Sequence, residues 1–517
     1  MKPMNIKKLA SLLFQRSVIV AALILVQAAL IIGMLALSSA GYSYVRWGSL
    51  VLSVLAVLII VSRQTDPGYK IAWIVPILLF PAFGWLLYLL CGGNKLSARQ
   101  RRKMQGMDRT MLEQLEQDYK AEQLERLGAD AANQARYLER YARCPVYNNT
   151  WTRYFPLGDD AFPVMLEELK KAEKYIFLEY FIIAPGMFWD SIVEILREKH
   201  AAGVDVRVIY DDVGSLNTLP MNYAHKFEAE TGIPCCFFNR FKPIISIRMN
   251  NRDHRKFCII DGHTAFTGGI NLADEYINQK PRFGHWKDSA ILLKGEAAWS
   301  MTVMFLTMWE YIRDVEEDYS RFRPAALPAE AAGGAGYYVQ PYTDNPLDDE
   351  PVGETVYLNL ISKAKHYIYA MTPYLIISDS VNTALCNAAK AGVDVRIITP
   401  HIPDKPLVFE LTRSHYEPLL EAGVQIFEYT PGFVHAKNMV VDDLCAVVGS
   451  INLDYRSMFL HFEDAVLLYR DPTILDVKRD FLETQFKSQP VTLEECLAHA
   501  WPRRLFRSIL RVLAPLL

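Results

Sequence analysis

The sequence has little net charge, and neither sign of charge dominates it. Its 55 lysine and arginine residues nearly balance its 58 aspartate and glutamate residues, leaving a formal charge of −3 over 517 residues. This balance disfavours a protein that holds nucleic acid through bulk positive charge. The hydrophobic content of 51% excludes a disordered chain, and with a mean hydropathy of +0.06 it indicates membrane segments.

The sequence also lacks the patterns that bind metals. Its eight cysteines form no C-x-x-C pair and no cysteine–histidine spacing of the zinc-binding kind. Clusters of acidic residues of the Mg²⁺-binding type are not evident near the polar motifs described below. We therefore expect reduced thiols that face a cytosolic compartment, and neither a metal nor a cofactor.

Three apolar stretches in residues 1–95 predict a membrane anchor, near residues 18–37, 47–62 and 71–91. The first is about 20 residues long, enough to cross a ~30 Å hydrocarbon core. Basic residues flank the block on both sides, and the positive-inside rule then requires both ends to be cytoplasmic. Three full crossings cannot satisfy that rule, so either one stretch is re-entrant or the rule is broken. The third stretch, with Pro76 and Pro81, is the candidate for a re-entrant hairpin. A cleaved signal peptide in residues 1–40 is the alternative.

Residues 96–145 are charged and rich in helix-forming residues, which predicts a helical stalk beside the membrane, or alternatively a solvated helix surface.

An internal repeat follows the predicted stalk. The hexapeptide AGVDVR occurs at Ala202–Arg207 and again at Ala391–Arg396, and alternating helical and β-rich segments surround both copies. This alternation predicts α/β layers with a largely parallel sheet. The predicted domains are residues 146–320 and 337–517, joined by a Pro, Ala and Gly-rich linker at 321–336.

Each repeat contains the same polar motif, His-x-Lys-x-x-x-x-Asp, followed by a small-residue turn and an asparagine. One such motif is weak evidence of function, whereas two at equivalent positions of a repeat are strong evidence. The first copy contains His254, Lys256, Asp261 and Asn271, and the second contains His435, Lys437, Asp442, Ser450 and Asn452.

The motif suits phosphoryl transfer. A histidine and a lysine two positions apart on a strand point to the same face, so pairing the copies gathers two imidazoles and two ammonium groups around one pocket. Lysine and asparagine donors can bind phosphate oxygens, while one imidazole attacks phosphorus and the other protonates the leaving alkoxide. The two aspartates lie far along the strand from the histidines, and we expect them to be structural.

These features resemble the phospholipase D superfamily, and specifically its bacterial cardiolipin synthases. The resemblance covers nearly the whole chain and rests on two segments, NNRDHRKFCIIDGHTAFTGGINLADEY and VHAKNMVVDDLCAVVGSINLDYRS. It implies an α/β fold with two phospholipase D-like lobes, each a mixed sheet flanked by helices. A pseudo-twofold axis would relate the lobes, and N-terminal transmembrane helices would precede them.

The resemblance also implies roles for individual residues. His254 would form a phosphohistidine and His435 would act as general acid and then general base, although the two roles could be exchanged. Asp288 and Glu463 match the acidic residues that orient the histidines in the family. Ordinary ion pairs with neighbouring basic side chains are the alternative for these two carboxylates.

The implied reaction joins two phosphatidylglycerol molecules into cardiolipin and releases glycerol. The implied location is a bacterial inner membrane, with a multi-pass anchor and cytoplasmic catalytic lobes. The expected partners are phosphatidylglycerol and anionic lipid, with no nucleic acid, and homo-oligomerisation is left open.

The C-terminal stretch Trp501–Leu517 has helical apolar spacing and four arginines. This pattern predicts an amphipathic helix that contacts anionic lipid or, alternatively, docks on the second domain.

Other functions are consistent with parts of the same sequence. A hydrolytic phospholipase D, or a transferase with another alcohol acceptor, would carry the same motifs and differ only in its product. A nuclease is disfavoured by the apolar block and by the lack of a basic excess. A catalytically silent scaffold would not need the paired histidines.

Overall fold

The computed structural model describes residues 40–63, 67–81, 84–85, 88, 98–115, 124–125, 128–240, 250–331, 336–348 and 350–516. The chain divides into two compact units. The first contains the apolar N-terminal region and the second contains both repeats, and each is described by itself.

The described part of the first unit contains two apolar helices, α1 (Ala40–Ser62) and α2 (Pro67–Leu79). Ile60 and Ile77 are buried in their small core, and the Trp73 and Tyr88 rings pack edge to face at 5.3 Å. Among the described residues, no helix is both long enough and apolar enough to cross a membrane. The stretch predicted at 18–37 lies outside the described residues, and the one at 71–91 lies only partly within them.

The second unit begins with α3 (Ala98–Gln114) and α4 (Ala129–Tyr141), in the region predicted as a stalk. Met104 and Met111 of α3 and Leu138 of α4 are buried in the main hydrophobic core. These helices therefore form part of the second unit's packing, because one apolar face of each is covered.

The first repeat alternates strands and helices as the sequence predicts. Its elements are β1 (Thr150–Phe155), α5 (Gly158–Lys170), β2 (Tyr175–Tyr180), α6 (Met187–Ala201), β3 (Asp205–Asp211), α7 (Tyr223–Thr231), β4 (Cys235–Phe238), β5 (Arg252–Asp253), β6 (Lys256–Ile260), β7 (Thr264–Gly268), β8 (His285–Lys287), β9 (Ala290–Gly295) and α8 (Ala297–Arg313).

The second repeat follows the same plan with a C-terminal extension. Its elements are β10 (Tyr338–Asp344), α9 (Val352–Lys363), β11 (Tyr367–Met371), α10 (Asp379–Lys390), β12 (Asp394–Pro400), α11 (Pro406–Arg413), α12 (Tyr416–Glu421), β13 (Gln425–Tyr429), β14 (Gly432–Val434), β15 (Asn438–Val441), β16 (Cys445–Gly449), α13 (Tyr455–Phe459), β17 (His461–Tyr469), α14 (Thr473–Phe486), β18 (Ser488–Val491), α15 (Leu493–Leu497) and α16 (Trp501–Leu513).

The two sheets have matching topologies. The first has strand order β1-β9-β7-β6-β2-β3-β4, and the second has the equivalent order β10-β17-β16-β15-β11-β12-β13, with β18 added at the edge. Strands β2, β3 and β4 are parallel, as are β11, β12 and β13, and the other neighbouring pairs along these orders are antiparallel. The duplicated α/β fold with mixed sheets, which the resemblance implied, is confirmed. The largely parallel sheet that the alternation of helices and strands predicted is wrong, because only two neighbouring pairs along each strand order are parallel.

The backbone conformation explains why the AGVDVR hexapeptide occurs in both repeats. In each copy the glycine follows a helix, and Gly203 and Gly392 have φ values of 92° and 95°. Glycine adopts this left-handed backbone without the strain that a Cβ atom would cause. The apolar residues after each glycine then enter β3 and β12, so the hexapeptide is a helix stop followed by a strand start.

The linker predicted at 321–336 is packed where the structure describes it. Phe322 is buried, and its ring lies edge to face with the Tyr175 ring at 5.3 Å. The Tyr175 hydroxyl donates a hydrogen bond to the Phe322 carbonyl at 2.8 Å. This part of the connection is therefore fixed to the first sheet by ordinary core contacts.

Helix α16 has its charged side turned toward the protein. Arg507 donates to Glu410 at 2.8 Å, and Arg504 donates to Glu417 at 2.8 Å. Because α11 and α12 present these glutamates, the two arginines form ion pairs with the protein, as the docking alternative predicted. The apolar side chains of Leu505 and Ile509 are half exposed, at 52% and 51%.

Candidate active site

Two short parallel strand pairs bring the repeats together. Strand β5, just before His254, pairs with the start of β17 in the second repeat, and β14, just before His435, pairs with β8 of the first. The His254 amide donates to the Phe462 carbonyl at 2.9 Å, and the His435 amide donates to the Lys287 carbonyl at 2.6 Å. Each motif histidine is therefore anchored to the other repeat by its own backbone.

The same pairing sets a crossed arrangement of side chains. His254 Nδ1 lies 2.9 Å from Glu463 Oε2, and His435 Nδ1 lies 2.6 Å from Asp288 Oδ2. Both carboxylates are fully buried. Because an ionised carboxylate can only accept, each Nδ1 carries the proton and each Nε2 is left with a lone pair for chemistry. Each histidine is thus oriented by a carboxylate of the opposite repeat.

Both motif lysines are buried beside their histidines. Lys256 Nζ donates to the His254 carbonyl, and Lys437 Nζ donates to the His435 carbonyl and lies 2.8 Å from His435 Nδ1. Two ammonium groups and two imidazoles therefore occupy one region, as the motif spacing predicts. This is an environment for an anion with several oxygen atoms.

The electrostatic environment keeps the imidazoles neutral. Burial, together with Lys256 and Lys437, holds the pKa of His254 well below its usual 6.5. Burial and Lys437 also lower the pKa of His435, to about 4, although the Asp288 carboxylate opposes them. Burial lowers the pKa of Lys437 to about 7, with Asp288 opposing and Lys256 adding to the effect. A neutral imidazole is the form that a nucleophile requires.

The aspartates that close the motifs serve the backbone. Asp261 accepts from the amides of Glu173, Lys174 and Tyr175, each at 2.8 Å. Asp442 does the same at the start of β11, accepting from three consecutive amides of residues 365–367. Asp261 lies five residues beyond Lys256, about 16 Å along the strand direction. Both carboxylates fix the entry of a central strand and lie away from the histidines.

The two asparagines and the small-residue turn differ between the copies. Asn271 accepts from the Ile182 amide at 3.0 Å and donates to the Tyr276 hydroxyl at 2.8 Å, so its amide group holds the protein together. Asn452 is buried with an unpartnered Oδ1 among the described residues. Ser450 donates to Glu463 Oε2, which gives this carboxylate a second hydrogen bond beside His254.

Sequence reasoning missed the aromatic groups that surround the histidines. The Phe181 ring lies 4.9 Å from the His254 ring, and the Tyr276 and Trp286 rings lie 5.4 Å and 5.5 Å from the His435 ring. These rings pack beside the two imidazoles, whose residues are 6% and 8% exposed. Their sequence signal is weak, because single aromatic residues are common in any core.

His461 was also missed. It lies two residues before Glu463, and its ring centre is 5.4 Å from that of His254. The ligand atoms of His254, His461 and Glu463 lie within 4.8 Å of one another, close enough to bind a metal ion. However, the ammonium groups that depress the pKa of His254 favour an anion over a divalent cation at this position.

The acidic residue before the first histidine is neutralised by a neighbour. Asp253 Oδ1 lies 3.2 Å from Arg255 Nε, and the other side of that guanidinium lies 2.5 Å from Glu179. All three side chains are buried. The carboxylate of Asp253 therefore belongs to an ion-pair network beside the site.

Comparison with known proteins places this arrangement in a family. The family model described as "Cardiolipin synthase, PLD-like domain" matches residues 165–297 and 357–484, so that each match contains one His-x-Lys motif. The model described as "Phospholipase_D-nuclease N-terminal" matches residues 51–93. The chain belongs to the cardiolipin synthase family of phospholipase D-like proteins. The membership predicted from the sequence is confirmed.

Curated relatives support the same family over most of the chain. The cardiolipin synthase of Geobacillus kaustophilus is 35% identical over 90% of this chain and 92% of its own length. That of Halalkalibacterium halodurans is 32% identical over 89% of this chain and 91% of its own length. The protein is thus an enzyme, a phospholipid phosphatidyltransferase of the phospholipase D type.

A solved structure supports the fold. The phosphatidylserine synthase of Haemophilus influenzae superposes with a TM-score of 0.57 at 15% identity, covering 74% of this chain and 98% of that one. At this identity the likeness concerns the fold alone.

Proposed function

We propose that the enzyme condenses two phosphatidylglycerol molecules into cardiolipin and glycerol through a phosphohistidine. The observation that carries the proposal is the crossed geometry of the site. Two buried, neutral imidazoles lie among two lysines, and each is oriented by a carboxylate of the opposite repeat. The named relatives, both cardiolipin synthases, support the substrate.

In the first step, Nε2 of His254 attacks phosphorus and the bond from phosphorus to the glycerol oxygen breaks. Two groups favour the protonated form of His435 at this step: the Asp288 carboxylate, which raises its pKa, and the phosphodiester anion of the bound substrate. In that form His435 gives its Nε2 proton to the departing alkoxide and is left neutral. The Lys256 and Lys437 ammonium groups stabilise the charge on the phosphoryl oxygens. Glu463 stabilises the positive charge that develops on His254.

In the second step, a hydroxyl of another phosphatidylglycerol replaces the glycerol. His435 takes its proton, the oxygen attacks phosphorus, and the bond from phosphorus to His254 breaks. Since the phosphoester energy is kept in the phosphohistidine, no nucleotide takes part. A hydrolase would use water at this step, and the aromatic rings beside the histidines support the lipid acceptor.

The proposed location is a bacterial inner membrane, with a multi-pass N-terminal anchor and the catalytic lobes on the cytoplasmic side. The apolar stretches of residues 1–95 support the anchor. The half-exposed apolar side of α16 supports contact with a bilayer, because a helix that only docks would bury that side.

The test is turnover of the purified enzyme in phosphatidylglycerol vesicles without nucleotide or added metal. Cardiolipin and glycerol in equal amounts are expected. Phosphatidic acid with glycerol would instead identify a hydrolytic phospholipase D, and turnover only after addition of another alcohol would identify a different acceptor. A second measurement separates the histidines: His435→Ala, given a donor with a good leaving group, is expected to accumulate phosphohistidine, and His254→Ala is not.

A further inference from the structure

A second pair of equivalent residues lies beside the two histidines. Trp286 is two residues before Asp288, and His461 is two residues before Glu463. Their rings lie 5.5 Å from the His435 ring and 5.4 Å from the His254 ring. The pseudo-twofold arrangement therefore repeats a nitrogen-bearing aromatic ring next to each motif histidine.

Both side chains are buried with polar atoms that lack a partner. Trp286 and His461 are 5% and 8% exposed. Within the described part of the chain, Trp286 Nε1 and both ring nitrogens of His461 have no hydrogen-bond partner. His461 Nδ1 lies 3.5 Å from Glu463 Oε1, a separation that is too long for a good hydrogen bond.

Unpartnered nitrogens of this kind require an explanation. Most buried polar side-chain atoms in folded proteins have a hydrogen-bond partner. Burying a donor without a partner costs about 1–3 kcal/mol of folding free energy. Apolar rings would fill both positions without that cost. Burial, with Glu463 opposing, lowers the pKa of His461 to about 3, so the ring is neutral and offers one N–H donor.

The proposed reaction places a different part of the phospholipid beside each of the two ring N–H groups. In an in-line displacement the leaving group departs on the side opposite the nucleophile. Under the proposed function, on which this inference rests, the alcohol headgroup therefore lies beside His435 and Trp286. The phosphatidyl group that stays on the enzyme lies beside His254 and His461.

We propose that Trp286 and His461 are substrate-binding residues whose ring N–H groups bind oxygen atoms of the phospholipid. Trp286 binds a hydroxyl oxygen of the alcohol headgroup, and His461 binds an oxygen of the phosphatidyl group. The leaving glycerol and the incoming acceptor alcohol pass through the same position, so Trp286 serves both steps. The pair recognises the two halves of one substrate.

The test compares two donors that differ in the headgroup hydroxyls. Phosphatidylglycerol has them and phosphatidylethanol does not, and headgroup release is measured for both. Trp286→Phe keeps an aromatic ring without the N–H and is expected to lower kcat/KM about 10- to 100-fold for phosphatidylglycerol and less than threefold for phosphatidylethanol. His461→Phe is expected to lower both values by a similar factor of about 10, because the phosphatidyl half is common to both donors.

A matched control is available outside the site. His415 is also buried with an unpartnered Nε2 among the described residues, and it lies at the junction of α11 and α12. His415→Phe is expected to leave the donor ratio unchanged. His461→Asn, which keeps a donor, is expected to recover part of the loss in His461→Phe.

The outcomes are separable. Equal losses for both donors in Trp286→Phe, or unchanged kinetics in both variants, would overturn the inference. A reversed pattern, with the headgroup effect in His461→Phe, would overturn the assignment of the headgroup to Trp286. Failure of the proposed function appears instead in the unmodified enzyme, as phosphatidic acid in place of cardiolipin or as no headgroup release.

Discussion

Asp288→Asn tests the crossed arrangement most directly. The substitution keeps the size of the side chain and removes the negative charge 2.6 Å from His435 Nδ1. Two unit charges about 4 Å apart interact by about 4 kcal/mol at an effective dielectric constant of about 20, which corresponds to about 10³ in rate. Because Asp288 raises the pKa of His435, its loss makes the imidazole harder to protonate. We expect kcat to fall about 10³-fold and its alkaline limb to move to lower pH.

Two donors separate this effect from a general loss of structure. With phosphatidylglycerol, the leaving alkoxide needs a proton from His435. With a phosphatidyl ester of p-nitrophenol, the leaving group needs none, so phosphohistidine formation in Asp288→Asn should return to within about tenfold of the unmodified enzyme. Asp471→Asn, which changes a buried carboxylate that accepts from the Thr152 hydroxyl and the Thr473 amide, is the control for folding. A kcat within tenfold of the unmodified enzyme, or no rescue by the better leaving group, would refute the role of Asp288.

The remaining predictions concern charge, stability and lipid contact. Because the pKa of Lys437 is about 7, kcat/KM should fall as the pH rises above that value. Lys437→Arg should be slower but should not show this fall, because arginine stays charged. The same fall in both pH profiles would contradict its assignment to Lys437. Asp261→Ala leaves three amides without their acceptor and should lower the free energy of unfolding in detergent by about 2–4 kcal/mol. Loss of activity with unchanged stability would instead show that Asp261 takes part in catalysis. Leu505→Glu and Ile509→Glu, each as a single variant, should weaken binding to phosphatidylglycerol vesicles about tenfold, with Ser508→Glu on the same helix as the charge-matched control. Equal binding by all three variants would remove α16 from the membrane contact.

The repeat made much of the fold predictable from the sequence. Because AGVDVR encodes a helix stop and a strand start, its two occurrences predicted two equivalent α/β layers, and the matching strand orders confirm them. The motif spacing also predicted that His254 and Lys256 would lie together, and they do. The first prediction succeeded because backbone conformation is a local property of the chain. The second named the right residues for a reason that is wrong, since His254, His435 and Lys437 lie in short links between strands and not on a strand.

The crossed contacts between the repeats could not be read from the sequence. The pairing of β5 with β17 and of β14 with β8 joins segments about 150 to 210 residues apart, and the paired stretches are only two or three residues long. No periodicity is visible over so short a span. The partner of each histidine, and the positions of Trp286 and His461, depend on these contacts, so they required the structure.

The two copies share one backbone plan but are no longer interchangeable at the site. Ser450 donates to Glu463, whereas the equivalent Gly269 has no room for a side chain, since a Cβ atom there would lie 2.0 Å from Asp288 Oδ1. The shorter carboxylate of Asp288 contacts His435 through Oδ2, and its Oδ1 accepts from the Ser289 amide at 2.8 Å. The longer Glu463 accepts from both His254 and the Ser450 hydroxyl on one oxygen. A nucleophile and a general acid must differ in proton affinity although both are imidazoles. The duplicated fold supplies two equal positions, and these small differences around each carboxylate are where the two histidines can acquire different roles.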